Sequence, residues 1–247
     1  MKHVVVRTHG GLGNQIFQLF YARLYADRIG ASLQEVHDLR YAHGFARSVE
    51  LGRAPAPSRM RGAVSSVRLP KLLTRAGLRR DGVSLLGTTY LDGYFQRPVD
   101  YADFNDAALR GELQRLREEL RVSSHPTRAL GMHLRLGDFF TSDAAVTDHL
   151  NERLARLGPD TGIVTNEEER LRTPLVAEAL AAKRAWIVPT GDMTPEDVLR
   201  TLASFQRMDG NDSTLLFWAS VLSGMECDYK NPELRALRER FLQVLKG

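Results

Sequence analysis

HVVVRTHGGLGNQIFQLFYARLYADRIG, residues 3–30, decides the fold class. The apolar run from His3 to Arg7 predicts a strand, His9 to Asn14 a glycine loop, and the residues from about Gln15 to Ile29 a helix stopped by Gly30. Ile16, Leu19, Phe20, Ala22 and Leu24 do not fall on one narrow stripe, so this helix is expected to pack on more than one side. A strand, a loop and a helix in this order open an α/β layer. The pattern continues along the chain. Gly87 to Phe95 predicts a strand ending in an aromatic turn, and Asn105 is placed to cap a helix carrying Leu109, Leu113, Leu116 and Leu120. A polar break at Ser123 to Thr127 divides the chain into an expected N-terminal lobe, 1–123, and C-terminal lobe, 124–247. Beyond it a strand from Ala129 to Leu134 and short apolar runs at 162–164 and 185–188 alternate with helical patterns at 175–183 and 195–205. Such alternation predicts a parallel sheet with helices on its faces. Asn231 and Pro232 start a closing helix.

The bulk properties agree with a globular enzyme-sized chain. Of 247 residues, 43% are apolar and 26% charged, with one cysteine, which excludes a disordered, collagen-like or disulfide-stapled protein. The net charge of +4 is too small to demand a nucleic-acid partner, and none is expected. The opening apolar run is too short for a signal-peptide core, no stretch reaches membrane-spanning length, and lone Cys227 has no disulfide partner; a buried, inert thiol and a cytoplasmic location are expected. Gly52 to Arg80 contains no acid but eight basic residues, among them Arg53, Lys71, Arg75 and Arg80. This basic segment, 53–80, reads either as an ordinary solvated face or as a short amphipathic helix making peripheral contact with an anionic membrane surface.

Three clusters carry candidate chemistry. Gly10-Gly11-Leu12-Gly13-Asn14-Gln15 lies between strand and helix, where backbone N–H groups can meet an anion, although it matches neither the dinucleotide fingerprint nor a Walker A loop. In His133-Leu134-Arg135-Leu136-Gly137-Asp138, alternation sends His133 and Arg135 to one side. Arginine at a strand end suits a phosphate, and Asp138 is placed to orient it. Asp209-Gly210-Asn211-Asp212-Ser213-Thr214 precedes an apolar helix, where Asp212 or Ser213 can act as cap and the hydroxyls of Ser213 and Thr214 complete a second anion cradle. Each cluster alone also has a plain structural reading: a tight turn, a surface ion pair, an N-cap.

Five stretches in order, G-G-L-G-N-Q-I-F-Q (10–18), G-Y-F-Q (93–96), H-L-R-L-G-D (133–138), V-T-N-E-E-E (164–169) and N-D-S-T-L-L-F-W-A (211–219), resemble the motifs of the bacterial α-1,2-fucosyltransferases of glycosyltransferase family 11, and the wider group with α-1,6- and protein O-fucosyltransferases. The resemblance implies an α/β GT-B fold of two Rossmann-like lobes with an interdomain cleft, GDP-β-L-fucose as donor, no metal or other cofactor, and inverting transfer to a hydroxyl, galactose O2 in the nearest relatives. It implies that Arg135 grips the β-phosphate. Gly11, Gly13 and Asn14 would face the donor from the first lobe, and Asn211, Ser213 and Thr214 from the second. Thr165 and Asn166 match a region near the nucleoside, and His133 and Asp138 complete the arginine motif. Where the family carries a second adjacent arginine, this chain has Leu136. Asp92, beside Gly93 and Tyr94, is the positional candidate for the base. A glycan or glycolipid acceptor on the inner membrane face would give the basic segment a purpose. The alternatives are transfer of another sugar or linkage, and a noncatalytic sugar-nucleotide or polyanion binder.

Overall fold

A computed structural model describes residues 2–37, 82–85, 87–136, 142–165, 167–210 and 212–247. Asp138, Asn166, Asn211 and the basic segment 53–80 lie outside the described residues. The chain forms two compact units, one of residues 1–120 with 236–247 and the other of residues 121–235. The closing helix, expected wholly with the second lobe, thus joins the first from Ala236 onward.

Unit 1 begins with β1 (His3–Thr8), α1 (Leu12–Ile29) and β2 (Ser32–His37), followed by β3 (Gly82–Leu85), β4 (Thr88–Leu91) and α2 (Asp106–Glu119). Its sheet has the order β2-β1-β4-β3, parallel except for β3 against β4. Val4, Val5 and Val6 are all buried, as a strand covered on both faces requires. α1 starts three residues before the expected Gln15, because the carbonyl of Gly11 already accepts the N–H groups of Asn14 and Gln15. It ends as expected at Gly30, whose φ of 61° is left-handed. Leu12, Ile16, Phe17, Leu19, Phe20, Ala22 and Leu24 are buried around much of its circumference. Asn105 caps α2 by accepting the Ala108 N–H at 2.8 Å, and Leu109, Leu113, Leu116 and Leu120 form the buried stripe. Phe241 reaches unit 1 here, its ring 5.4 Å from Phe20 and 5.1 Å from Tyr101, which explains why the last turns belong to this core.

Unit 2 runs β5 (Arg128–Leu134), α3 (Asp143–Ala155), β6 (Thr161–Thr165), α4 (Pro174–Lys183), β7 (Trp186–Val188), α5 (Pro195–Ala203), β8 (Phe205–Gly210), α6 (Thr214–Ser223), β9 (Glu226–Cys227) and α7 (Pro232–Lys246), the last crossing into unit 1. The five strands are parallel in the order β7-β6-β5-β8-β9, as the alternating pattern predicts. On one face Met132, Leu134, Leu136, Val146, Leu150 and Ile163 share a core. Cys227 is half-buried rather than buried, on the short edge strand. Among the described residues no helix is long and apolar enough to cross a membrane.

Candidate functional site

The sheet of unit 2 reverses its winding between β5 and β8. From β5 the chain moves outward to β6 and β7, then returns to the other side of β5 with β8. At such a switch point the loops leaving two neighbouring strands diverge, and the carboxyl ends of the strands are open to a ligand. The loop after β5 carries Arg135, half-buried one residue beyond Leu134, and the loop after β8 leads to Ser213 and Thr214 at the start of α6. Two of the sequence clusters therefore meet at one place.

Their neighbours have structural tasks. The register sets His133 beside Gly210, where a Cβ would come within 3.2 Å of the His133 Cβ and 2.6 Å of a Leu216 methyl, so a larger residue would displace the Leu216 side chain and press on His133. Burial foremost, and then the charges of Arg135 and Arg153, push the His133 imidazole down to about 4 from its ordinary 6.5. His133 is therefore neutral at pH 7 and offers no cation to a phosphate. Leu136, at the place of a second arginine, is fully buried in the core with Leu134 and Leu150. The Thr165 hydroxyl accepts the Glu167 N–H at 3.2 Å and its carbonyl accepts the Thr190 hydroxyl at 2.5 Å, which braces the β6 loop. Arg153, missed in the sequence, is buried and holds Asp209 at 3.0 Å, fixing the C-terminal end of β8. A lone arginine late in a charged helix reads as surface, so nothing local marked it.

Unit 1 has the corresponding reversal between β1 and β4, β2 lying on one side and β4 with β3 on the other. The glycine loop follows β1, and Asp92 to Gln96 follow β4. Gly10 has a φ of 78°, and Gly11 and Gly13 bring the backbone into the start of α1. The glutamines of the motif are braces: Gln15 donates to the Gly10 carbonyl at 2.7 Å, and Gln18 accepts the His9 N–H at 3.0 Å. The Gln18 amide then faces His9 Nδ1 at 3.1 Å, which assigns the ring proton to Nε2, 3.6 Å from Asp92. Arg7, almost wholly buried, donates to Asp92 at 3.0 Å. Burial raises the Asp92 pKa, but the His9 contact and the Arg7 charge outweigh it, leaving the carboxylate below its usual range. Asn14 accepts a bond from Gln96 at 3.0 Å, tying the two loops together. Sequence reading placed Asn14 and Asp92 here and missed His9, although strand alternation from Arg7 points to it.

The helix starts distinguish these loops from the others. α2, α3, α4, α5 and α7 begin with side-chain caps from Asn105, Ser142, Thr173, Thr194 and Asn231. α1 and α6 do not. Ser213 makes no cap bond, and Asp212, the other expected cap, instead accepts the N–H groups of Lys230 and Asn231 at 2.8 Å each. The two motif helices thus start without a side-chain cap, and neither first turn holds an acid that would repel an anion. Among the described residues no group of three His, Cys, Asp or Glu side chains is placed to hold a metal ion.

No protein-family model matches the chain, and no curated protein does. Solved structures match in fold. A mutant of Arabidopsis thaliana FUT1 in complex with GDP gives a TM-score of 0.51 at 14% identity, covering 92% of this chain and 70% of that one. Fucosyltransferase NodZ from Bradyrhizobium gives 0.46 at 17% identity, covering 90% and 92%. POFUT1 in complex with GDP-fucose gives 0.44 at 10% identity, covering 92% and 97%. The fold is GT-B, α/β in both units.

Proposed function

We propose that this chain is a glycosyltransferase that moves L-fucose from GDP-β-L-fucose to a glycan hydroxyl with inversion, without a metal, the motif set favouring galactose O2. The observation that carries this reading is the coincidence at the β5–β8 switch point of a half-buried arginine with an uncapped helix start bearing Ser213 and Thr214. Arg135 meets the β-phosphate, and the first turn of α6 with the Ser213 and Thr214 hydroxyls takes further phosphate oxygens. The motif resemblance also gives Gly11, Gly13 and Asn14, at the start of α1, a part in donor binding.

In the transfer, the acceptor oxygen bonds to the anomeric carbon as the bond from that carbon to the phosphate oxygen breaks, its electron pair passing to GDP. Arg135 and the helix dipole stabilise the charge that develops there. The acceptor hydroxyl becomes strongly acidic only as its oxygen bonds to carbon, so a weak base suffices. Asp92, held ionised by Arg7 and His9, is such a base and receives the proton late in the step.

Calorimetric titration with GDP, with ADP and UDP as controls and EDTA present, tests the donor site. Selective GDP binding is expected, weakened about 30-fold in Arg135→Ala, as loss of a charge-assisted hydrogen bond of about 2 kcal/mol implies. Folded protein that does not bind GDP would overturn the reading.

A further inference from the structure

The turn after β4 is built to present one side chain. Phe95 sits at φ 50°, a left-handed conformation unfavourable for a bulky residue, yet it is 3% exposed and fixed from several directions. Its ring stacks on Tyr21 with centroids 4.1 Å apart and planes 2° from parallel, and its carbonyl accepts the Tyr101 hydroxyl at 2.8 Å. Gln96 is tied to Asn14, and Asp92 to Arg7. Between these anchors Tyr94 is 51% exposed. His9 joins Tyr94 to the carboxylate, its ring edge-on to Tyr94 with centroids 5.0 Å apart and its Nε2 3.6 Å from Asp92. A strained, buried residue thus holds an aromatic face open beside an ionised hydrogen-bond acceptor, at the switch point of unit 1.

An aromatic face next to a carboxylate is complementary to a pyranose, which has C–H bonds on one face and hydroxyls at its rim. β-Galactosides suit it well, because the axial O4 leaves the hydrogens on C3, C4 and C5 together as one apolar patch. We infer that Tyr94 is the stacking platform of the acceptor subsite, with a β-galactoside ring lying on its exposed face and a ring hydroxyl donating to Asp92. This rests on the sugar-transfer reading above and adds to it the residue that selects the acceptor ring.

The test uses the whole chain and two probes, lactose and methyl β-D-galactoside, in initial-rate assays with GDP-fucose, alongside GDP titrations. Tyr94→Ala is expected to raise the galactoside KM about tenfold or more while leaving the GDP dissociation constant unchanged, and Tyr94→Phe, which keeps the ring, to stay within about threefold of wild type. Because Tyr94 is exposed, the alanine variant should fold, which circular dichroism checks. An unchanged galactoside KM in Tyr94→Ala would overturn the platform. So would a wild type that binds GDP and transfers to neither galactoside, and in both cases the donor reading would survive. Absence of GDP binding would remove the donor reading itself, and the subsite with it.

Discussion

The switch points of the two units share a topology and differ in how their polar groups are held. In unit 1 the groups neutralise one another: Arg7 and Asp92 form an ion pair, His9 sits between Asp92 and Gln18, and Asn14 is bonded to Gln96. In unit 2 Arg135 stands beside a histidine kept neutral by burial, above a closed apolar layer that includes Leu136. The first edge is held by an ion pair at its centre, whereas the second combines the buried Arg153–Asp209 pair with apolar packing. An edge of the first kind suits a neutral ligand with many hydroxyls, whereas a strand end that carries an arginine suits an anion. The difference accords with the proposed reading, in which the phosphates lie at the edge of unit 2.

The change expected to have the largest effect is Leu136→Arg, which restores the paired arginines of the resembling family. Were position 136 a vacant phosphate site, this variant would bind GDP more tightly. Because Leu136 lies in the core with Met132 and Val146, it should instead lose about 4 kcal/mol of stability, the order expected for a charge forced among apolar side chains. Thermal unfolding should move down by about 10 °C. A variant that melts near the wild type and binds GDP more tightly would show that position 136 belongs to the donor edge.

Acidification should separate the edges next. The His133 pKa is lowered in the fold, so the folded state resists protonation while the unfolded chain takes up a proton near pH 6.5. Its contribution is fully present above that pH and is lost as the pH falls toward about 4, with little further change below. The loss is on the order of 3 kcal/mol. Asp92 behaves differently. Its carboxylate, lowered from 3.8, contributes above that value and loses its contribution only as the pH falls through its lower folded value. Denaturant unfolding of wild type and His133→Gln between pH 7 and 4 isolates the first effect, since other titrating groups cancel in the difference. The curves should converge as the pH falls, and parallel curves would mean that the imidazole is not held neutral.

Much of this arrangement was legible in the sequence, for reasons that also set its limits. α2 was readable because Asn105 and the stripe of Leu109, Leu113, Leu116 and Leu120 are local signals. β8 was not, since F-Q-R-M-D-G has two apolar residues in six and its place between β5 and β9 depends on partners distant in sequence. The places of Arg135 just past a strand end and of Ser213 and Thr214 at a helix start could be read because those boundaries follow from neighbouring residues. The roles of Gln15, Gln18 and His9 required knowing how the loop folds back on α1. Leu136 shows the opposite case: family resemblance marks it as a missing arginine, and only the packing shows it to be a core residue.

The smallest expected effect tests whether the edge of unit 1 is held as tightly as its contacts suggest. Gly10 combines a φ of 78° with a position where a Cβ would lie 2.9 Å from Asn14 Nδ2. Gly10→Ala therefore carries two separable costs: the left-handed conformation, about 1 kcal/mol, and displacement of the Asn14 amide, roughly another 1 kcal/mol if the link to Gln96 loosens. The first belongs to the backbone and should persist in any background. The second needs the Asn14 side chain, so Gly10→Ala should cost about half as much in an Asn14→Ala background, a coupling that a double-mutant cycle of unfolding free energies resolves. Full additivity would mean that the loop gives way without disturbing Asn14, and that the polar edge is less tightly organised than the packed one.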